Sequence, residues 1–321
     1  MDNYICEKCK KEFSKKSNYN SHKKRKTPCK NDNQTINIDT TNTTNVKQET
    51  GLNRKTIDKY YTSENIVEKC MKLVKTQIKI NKDDLCIEPS AGNGSFIKSI
   101  KLLFNNYKFY DLEPDNVEII KQDYLLFDYD KFIKTKYNKI HVIGNPPFGR
   151  QSSLAIKFIK KSVEYCDSIS FILPKSFKKD SLKKPIDLNF HLKYEYDLPD
   201  NSFIVDNKSY NVPCVFQIWI KKKKCRQVAK KLVPNKYKFV KKEDNPDMSF
   251  RRVGVNAGNI NKKNINDKSI QSHYFIKFSN TLTDETFNKI LNINYNCKDN
   301  TVGPKSISKQ ELIKEFNKVI D

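Results

Sequence analysis

LCIEPSAGNGSFIKSI, residues 85–100, begins as a short apolar run, passes through a glycine-containing loop and ends on helical spacing. That order predicts strand, tight turn and helix. It is the first βα turn of an open α/β sheet, whose ligands bind beyond the carboxyl ends of the strands. A phosphate-binding loop needs Gly-Lys-Ser/Thr, which is missing here. The third glycine of a dinucleotide fingerprint is replaced by Ile97, so a pyrophosphate cradle is disfavoured. The loop instead carries a carboxylate, Glu88, just ahead of its glycines. A carboxylate there repels phosphate and suits a cationic or amine-bearing ligand. Glu88, Pro89, Ala91, Gly92, Asn93, Gly94 and Phe96 are therefore candidate ligand-binding residues.

Outward from this unit the pattern repeats. Strands are expected in YKFYDLEP, VEIIKQDYLLF, NKIHVIGNPPF, SISFILPKSF, FHLKYEYDL and VPCVFQIWI, with an amphipathic helix in SLAIKFIKKSVEYC. Apolar positions Ile66, Val67, Cys70, Met71, Leu73 and Val74 predict a helix ahead of the first strand. Strands alternating with helices predict an α/β fold with a doubly wound, mostly parallel, seven-stranded sheet. Two more acids fall at strand ends. Asp111 follows the second strand, 19 residues after Gly92, where an acid takes ribose hydroxyls. Asp123 follows the third, where a carboxylate can accept from an adenine amino group. Leu112 and Tyr124 flank them. Three acids with a glycine loop describe a pocket for an unphosphorylated, positively charged nucleoside, and S-adenosylmethionine fits that description. Singly, each acid is as well read as a helix cap or turn residue.

A second stretch bears on chemistry: HVIGNPPFGR, residues 141–150. Pro-Pro cannot continue a strand ladder, and Gly149 suits a bend, so a plain turn is the simplest reading. But Asn145, Pro146, Pro147 and an aromatic, Phe148, at the carboxyl end of a strand lie where such sheets place ligands.

Together YYTSENIVEKC (60–70), EPSAGNGSF (88–96), YDLEP (110–114), QDYLLF (122–127) and GNPPFG (144–149) resemble the motif series of Rossmann-type N6-adenine methyltransferases, in the gamma-type order. The resemblance covers residues 57–220 and implies a Rossmann-like fold. It implies that Tyr61 and Thr62 lie over the methionine part of the cofactor, and that Glu88, Gly92 and Gly94 hold its amino-acid end. Asp111 would take the ribose, Asp123 and Tyr124 the adenine. Phe203, in LPDNSF, would help to hold the target base. Ser63 stands where many members carry Pro. In this reading the Asn145 side-chain oxygen and the Pro146 carbonyl are two fixed acceptors for the adenine amine, and Phe148 is a stacking surface.

The chain of 321 residues carries a net charge of +24, unevenly placed. Residues 1–30 hold ten Lys/Arg against three acids, residues 221–321 hold 23 against ten, and the stretch between holds 28 against 24. Basic flanks around a near-neutral middle predict a polyanionic partner, nucleic acid, either DNA or RNA. Nine cysteines and no apolar run suited to a signal peptide or a membrane span predict a reducing, intracellular setting, cytoplasmic or nuclear, with free or metal-bound thiols.

Cys6, Cys9, His22 and Cys29, spaced x2, x12 and x6, resemble a C2H2-like zinc finger with a C2HC ligand set. Phe13 and Tyr19 fall where such fingers keep core aromatics, and Lys23, Lys24, Arg25 and Lys26 suit phosphate binding. The finger and the basic tail are similar to versions in large DNA viruses. The expected organisation is a zinc finger at 1–30, a polar linker at 31–55, a methyltransferase domain at 56–220 and a basic α+β extension at 221–321. In the extension, Arg251, Arg252 and Tyr274 would hold the substrate strand. Two alternatives remain open: methylation of a glutamine amide in a protein, which Asn-Pro-Pro-aromatic also serves, and a nucleic-acid-binding protein with an inactive methylase core.

Overall fold

The computed structural model describes residues 4–7, 12–13, 16–23, 60–128 and 136–320. Two compact units divide the chain, residues 1–49 and 50–321. In the first, β1 (Tyr4–Ile5) and β2 (Glu12–Phe13) pair antiparallel and are followed by α1 (Lys16–Lys23). The Phe13 ring lies 6.0 Å from Tyr19 and 4.9 Å from His22, and both Cys6 and His22 are buried. Cys9, Cys29, Lys24, Arg25, Lys26 and the linker at 31–55 lie outside the described residues. Among the described residues, no group of three or more His, Cys, Asp or Glu gathers as a metal site would require.

In the second unit the described elements start with β3 (Tyr61–Thr62) and α2 (Glu64–Gln77), then β4 (Leu85–Glu88), α3 (Ile97–Leu103), β5 (Asn106–Asp111) and β6 (Ile120–Lys121). β7 (Ile140–Gly144), α4 (Ser153–Val163), β8 (Ser168–Pro174), α5 (Asp180–Lys183) and β9 (Phe190–Asp197) follow. A hairpin, β10 (Phe203–Val205) and β11 (Lys208–Tyr210), precedes β12 (Cys214–Lys221). These elements form a seven-stranded sheet in the order β6-β5-β4-β7-β8-β12-β9. The strands from β6 to β8 run parallel, and β12 runs antiparallel to both β8 and β9.

Every residue of β8 is buried, as befits a central strand covered on both faces. Period-two alternation sorts the side chains. Cys86, Ile143 and Ile172 pack with Ile66, Val67 and Cys70 of α2 and Ile97 and Ile100 of α3. Leu85, Ile87 and Val142 pack on the other face with Ala155, Phe158 and Ile159 of α4. The expected doubly wound α/β sheet is thus present, with helices on both faces.

Residues 221–321 add β13 (Tyr237–Val240), β14 (Met248–Arg251), β15 (Ile260–Asn261), β16 (His273–Phe278), α6 (Asp284–Leu291) and α7 (Lys309–Phe316). Their four-stranded antiparallel sheet has its own core around Met248, Phe250, Ile276 and Phe316. Ser308 and Glu311 close a reciprocal capping box at the start of α7. Lys179, just before α5, donates to the Ser306 carbonyl (2.7 Å) and pairs with Glu311 (3.3 Å), tying this sheet to the main one.

Candidate functional site

Just beyond the carboxyl ends of β4, β5 and β7 lies a cavity of about 490 Å³, within the size range of sites for small ligands. Glu88, Asp111, Asp123 and Asn145, distant in sequence, all line it. So do Tyr61, Thr62, Pro89, Ala91, Gly92 and Asn93, and also Phe96, Leu112, Tyr124 and Pro147. Gly94 does not. Its φ of +85° turns the chain into α3, and a Cβ there would stand 2.7 Å from the Ile97 side chain.

The glycine loop is held by the acid of the next strand. Gly92 N–H donates to Asp111 Oδ2 and Glu113 N–H to Asp111 Oδ1, each at 2.8 Å. Gly92 has φ +53°, and a Cβ on it would stand 3.0 Å from the Tyr61 ring. Tyr61 therefore lies directly against the loop, and its hydroxyl donates to Asp115. Partial burial, and then Asp115, push the Tyr61 phenol up to about 12. Asp123 Oδ1 accepts from Leu125 N–H (2.9 Å). Tyr124 is buried, stacked on Phe158, with its hydroxyl bonded to Ser162 and Tyr165.

Two buried acceptors in this cavity have no hydrogen-bond partner: Glu88 Oε2 and Asn145 Oδ1. Burial, and then the charge of Asp111, hold the Glu88 carboxyl well above the usual carboxylate range. A buried, partnerless carboxyl oxygen is costly unless a donor or a cation meets it. Asn145 is fixed by its other end. Its Nδ2 donates to the Tyr60 carbonyl (3.0 Å) and to Thr62 Oγ1 (3.3 Å). Because a carbonyl can only accept, the amide has one orientation and its oxygen is the free end. Ser90 Oγ donates to the Asn145 carbonyl (3.3 Å) and pins the main chain as well.

Several of the expected residues do not line the cavity. Phe148 is 5% exposed and packed in the core that includes α2, so it cannot serve as an exposed stacking surface. Gly149 (φ +67°), Gln151 and Ser152 take left-handed conformations, and the Phe148 carbonyl accepts from Leu154 and Ala155 N–H. That reversal carries the ring inward. Pro146 is buried and does not line the cavity. Phe203 is fully buried and pairs with Thr62 across β10 and β3, so it supports the strand that orients Asn145 rather than meeting a base. Arg251, Arg252 and Tyr274 are engaged within the extension. Arg251 donates to the Val253 carbonyl (2.9 Å) and Arg252 to the Gln271 carbonyl (2.7 Å). The Arg252 guanidinium lies 5.5 Å over the Tyr274 ring, whose hydroxyl donates to the Ile307 carbonyl.

Other wall residues went unread in sequence. Leu154 and Phe158 reach the cavity from one face of α4, four residues apart, directly after the Asn-Pro-Pro loop. That spacing is the signal that could have found them. Tyr60, next to the Tyr61–Thr62 pair, lines the mouth and stacks on Tyr210 (centroids 5.5 Å apart, planes at 21°). Tyr210 is 37% exposed, on the outer strand of the β11-β10-β3 sheet.

With this geometry in view, similarity to known proteins becomes informative. No family model matches the chain. Over 152 residues it is 26% identical to ribosomal RNA small subunit methyltransferase A of Francisella tularensis subsp. novicida, a match covering 42% of this chain and 56% of that protein. The chain is similar to methyltransferases. It spans about half the length of the curated relatives it matches. Among solved structures, it is similar to the methyltransferase subunit of a type I restriction-modification system from Streptococcus thermophilus (TM-score 0.39, 14% identity, 51% of this chain and 45% of that one). It is also similar to the 23S rRNA methyltransferase ErmE (TM-score 0.37, 10% identity, 51% and 71%).

Proposed function

We propose that this protein is an S-adenosylmethionine-dependent methyltransferase acting on the N6 amine of adenine in DNA or RNA. The carrying observation is Asn145: a buried side-chain oxygen with no partner, aimed by two hydrogen bonds at the amide's other end, in the cavity that also holds Glu88.

The cavity fits the cofactor. The partnerless Glu88 oxygen would meet the cationic amine, the Gly92 turn would pass the amino-acid end closely, and Asp111 and Asp123 would meet ribose and adenine. Bound there, S-adenosylmethionine supplies a methyl group on a positively charged sulfur. The residues of the chain supply position. Asn145 Oδ1 accepts a hydrogen bond from the exocyclic amine and draws its lone pair out of the ring. An amide does this without adding a second negative charge near Glu88. Its two anchoring bonds are made before substrate arrives, so little reorganisation is left for the reaction itself. A base inside a duplex cannot reach this oxygen, so the target is flipped or already unpaired.

The test is direct. Purified protein is incubated with S-adenosylmethionine and DNA and RNA oligonucleotides, and nucleosides are resolved by mass spectrometry. N6-methyladenine in one of the two is the expected product. Methylated glutamine in an added protein, with no methyladenine, would overturn the assignment.

With Phe148 in the core, the stacking surface for the base falls to the Tyr60–Tyr210 pair. Tyr210→Ala is expected to raise KM for the nucleic acid roughly tenfold, consistent with about 1–3 kcal/mol per stacked base. Tyr210→Phe should restore it, and cofactor affinity should hold. An unchanged KM in Tyr210→Ala would discard that role.

We also infer that the first unit holds a zinc ion through Cys6, Cys9, His22 and Cys29. The described part of this unit, two short strands and an eight-residue helix, buries too little to be stable without such a staple. Elemental analysis should find about one zinc per chain, lost in Cys6→Ser. Metal-free wild-type protein would refute it.

A further inference from the structure

The run KKKKCRQVAKK, residues 221–231, belongs to a stretch, 221–242, with eleven Lys/Arg and no acid. Its place follows from topology. β12 is antiparallel to β8, with Cys214 opposite Pro174 and Ile220 opposite Ser168. The run therefore emerges where β8 begins, at the amino ends of the parallel strands. Asn145 and the cavity lie at the other end. At about 3.3 Å per residue and about 4.8 Å between strands, Asn145 and the start of the run are separated by some 15–20 Å of sheet.

The backbone of the run is pinned. Lys221 N–H donates to the Asp167 carbonyl, Lys222 to Asn189 and Arg226 to Leu188, each at 2.8 Å. The Arg226 guanidinium donates to the carbonyls of Phe190, Lys183 and Ile186, and lies 5.8 Å over the Trp219 ring. Arg226 is thus a clamp, its Nε and Nη2 donors used internally. Lys222, Lys223, Lys224, Lys230 and Lys231 remain exposed, and among the described residues none of them is held in an ion pair. Free, like-charged lysines on a backbone pinned against the sheet repel one another. A polyanion relieves that repulsion and gains entropy from the counterions it releases.

We propose that these lysines form a second nucleic-acid binding surface, remote from the cavity, which grips the phosphate backbone of a substrate long enough to pass along the sheet edge. This rests on the reading of the substrate as a nucleic acid. A strand carries about one phosphate per 3.4 Å, so the separation corresponds to about six phosphates or more. Fragments of about four nucleotides would occupy the cavity alone, while strands of about twenty would span both places.

Binding of labelled single strands of these two lengths to the full chain, by fluorescence anisotropy over a salt series, tests this without turnover. In the triple variant Lys222→Gln, Lys223→Gln, Lys224→Gln, affinity for the long strand should fall at least tenfold. Its slope of log K against log salt should shrink by about two, at about 0.7 for each phosphate that the variant no longer neutralises. The short strand should bind as before. A matched variant on the α2 side, Lys72→Gln, Lys75→Gln, Lys79→Gln, should leave the slope unchanged. Equal effects of the two triple variants would reduce the phenomenon to net charge and overturn the proposal, as would equal losses on both lengths. Because binding is read directly, a chain that shows the slope change but forms no methyladenine keeps this surface and loses the methyltransferase reading.

Discussion

Asn145→Ala is expected to lower kcat for methyl transfer by about 10²–10³-fold, the usual cost of one preorganised polar group at a reacting centre. Cofactor affinity should stay within about threefold, because the amide oxygen has no partner in the protein and takes no part in the Gly92–Asp111 bond that shapes the loop. The contrast between kcat and binding is the diagnostic feature: an interaction made mainly in the transition state lowers kcat rather than raising KM. Asn145→Asp should be no better. A carboxylate cannot donate to the Tyr60 carbonyl, so two acceptors would face each other at 3.0 Å and the loop would lose its aim. Asn145→Gln keeps the chemistry but displaces the oxygen by one methylene, and should recover only a small part of the rate. Single-turnover assays with saturating cofactor separate these variants. If Asn145→Ala turned over within tenfold of wild type, the amide would not be the acceptor on which the proposed chemistry depends.

The main sheet was legible because its strands are short buried runs between strong breakers. SISFILP is buried at every position and LCIE likewise, and the acids that end β4 and β5 sit where their strands stop. The convergence of four distant polar residues on one cavity follows from that topology, since each terminates or follows a strand of the same sheet. What was not legible depends on backbone direction or on main-chain partners. Two prolines predict a rigid loop but not which way the next ring turns. That is decided by the left-handed residues after Phe148, of which only Gly149 carries a compositional sign. The group that orients Asn145 is the carbonyl of Tyr60, and a carbonyl is common to every residue. The β10–β11 hairpin turns on Asp206-Asn207, both at positive φ, a turn signal hidden among polar neighbours. In the extension, composition counts Arg251 and Arg252 as charges without showing that each also bonds a neighbouring carbonyl. The exposed lysines at 222–224 were visible as a run. Their position behind the cavity was not, because it depends on β12 being antiparallel.

Glu88→Gln should have opposite effects on the empty protein and on its complex. The Glu88 carboxyl is fully buried and held well above its ordinary value of 4.5 by desolvation and then by Asp111. Below that ordinary value the group is protonated both folded and unfolded, and it costs nothing. As pH rises, the unfolded chain releases the proton first while the folded chain retains it, so stability declines until the raised folded value is passed. Each unit of elevation corresponds to about 1.4 kcal/mol. For a unit of this size, about 1 kcal/mol moves Tm by roughly 2–4 °C. Ligand-free wild type should therefore lose more Tm between pH 5 and pH 8 than Glu88→Gln does. Comparing the two proteins at each pH cancels the contributions of His141 and Asp84, which are present in both. With cofactor the order reverses. The ionised carboxylate gains a cationic partner, and a lost charge-assisted hydrogen bond of about 1.5–3 kcal/mol predicts roughly 10–100-fold weaker binding in the variant. Wild-type affinity should rise with pH, and that of Glu88→Gln should stay flat. Calorimetry across pH 5–8 with S-adenosylmethionine reads both quantities. Equal affinities in wild type and variant would remove Glu88 from the ligand. Parallel melting profiles would mean that its buried oxygen is solvated after all.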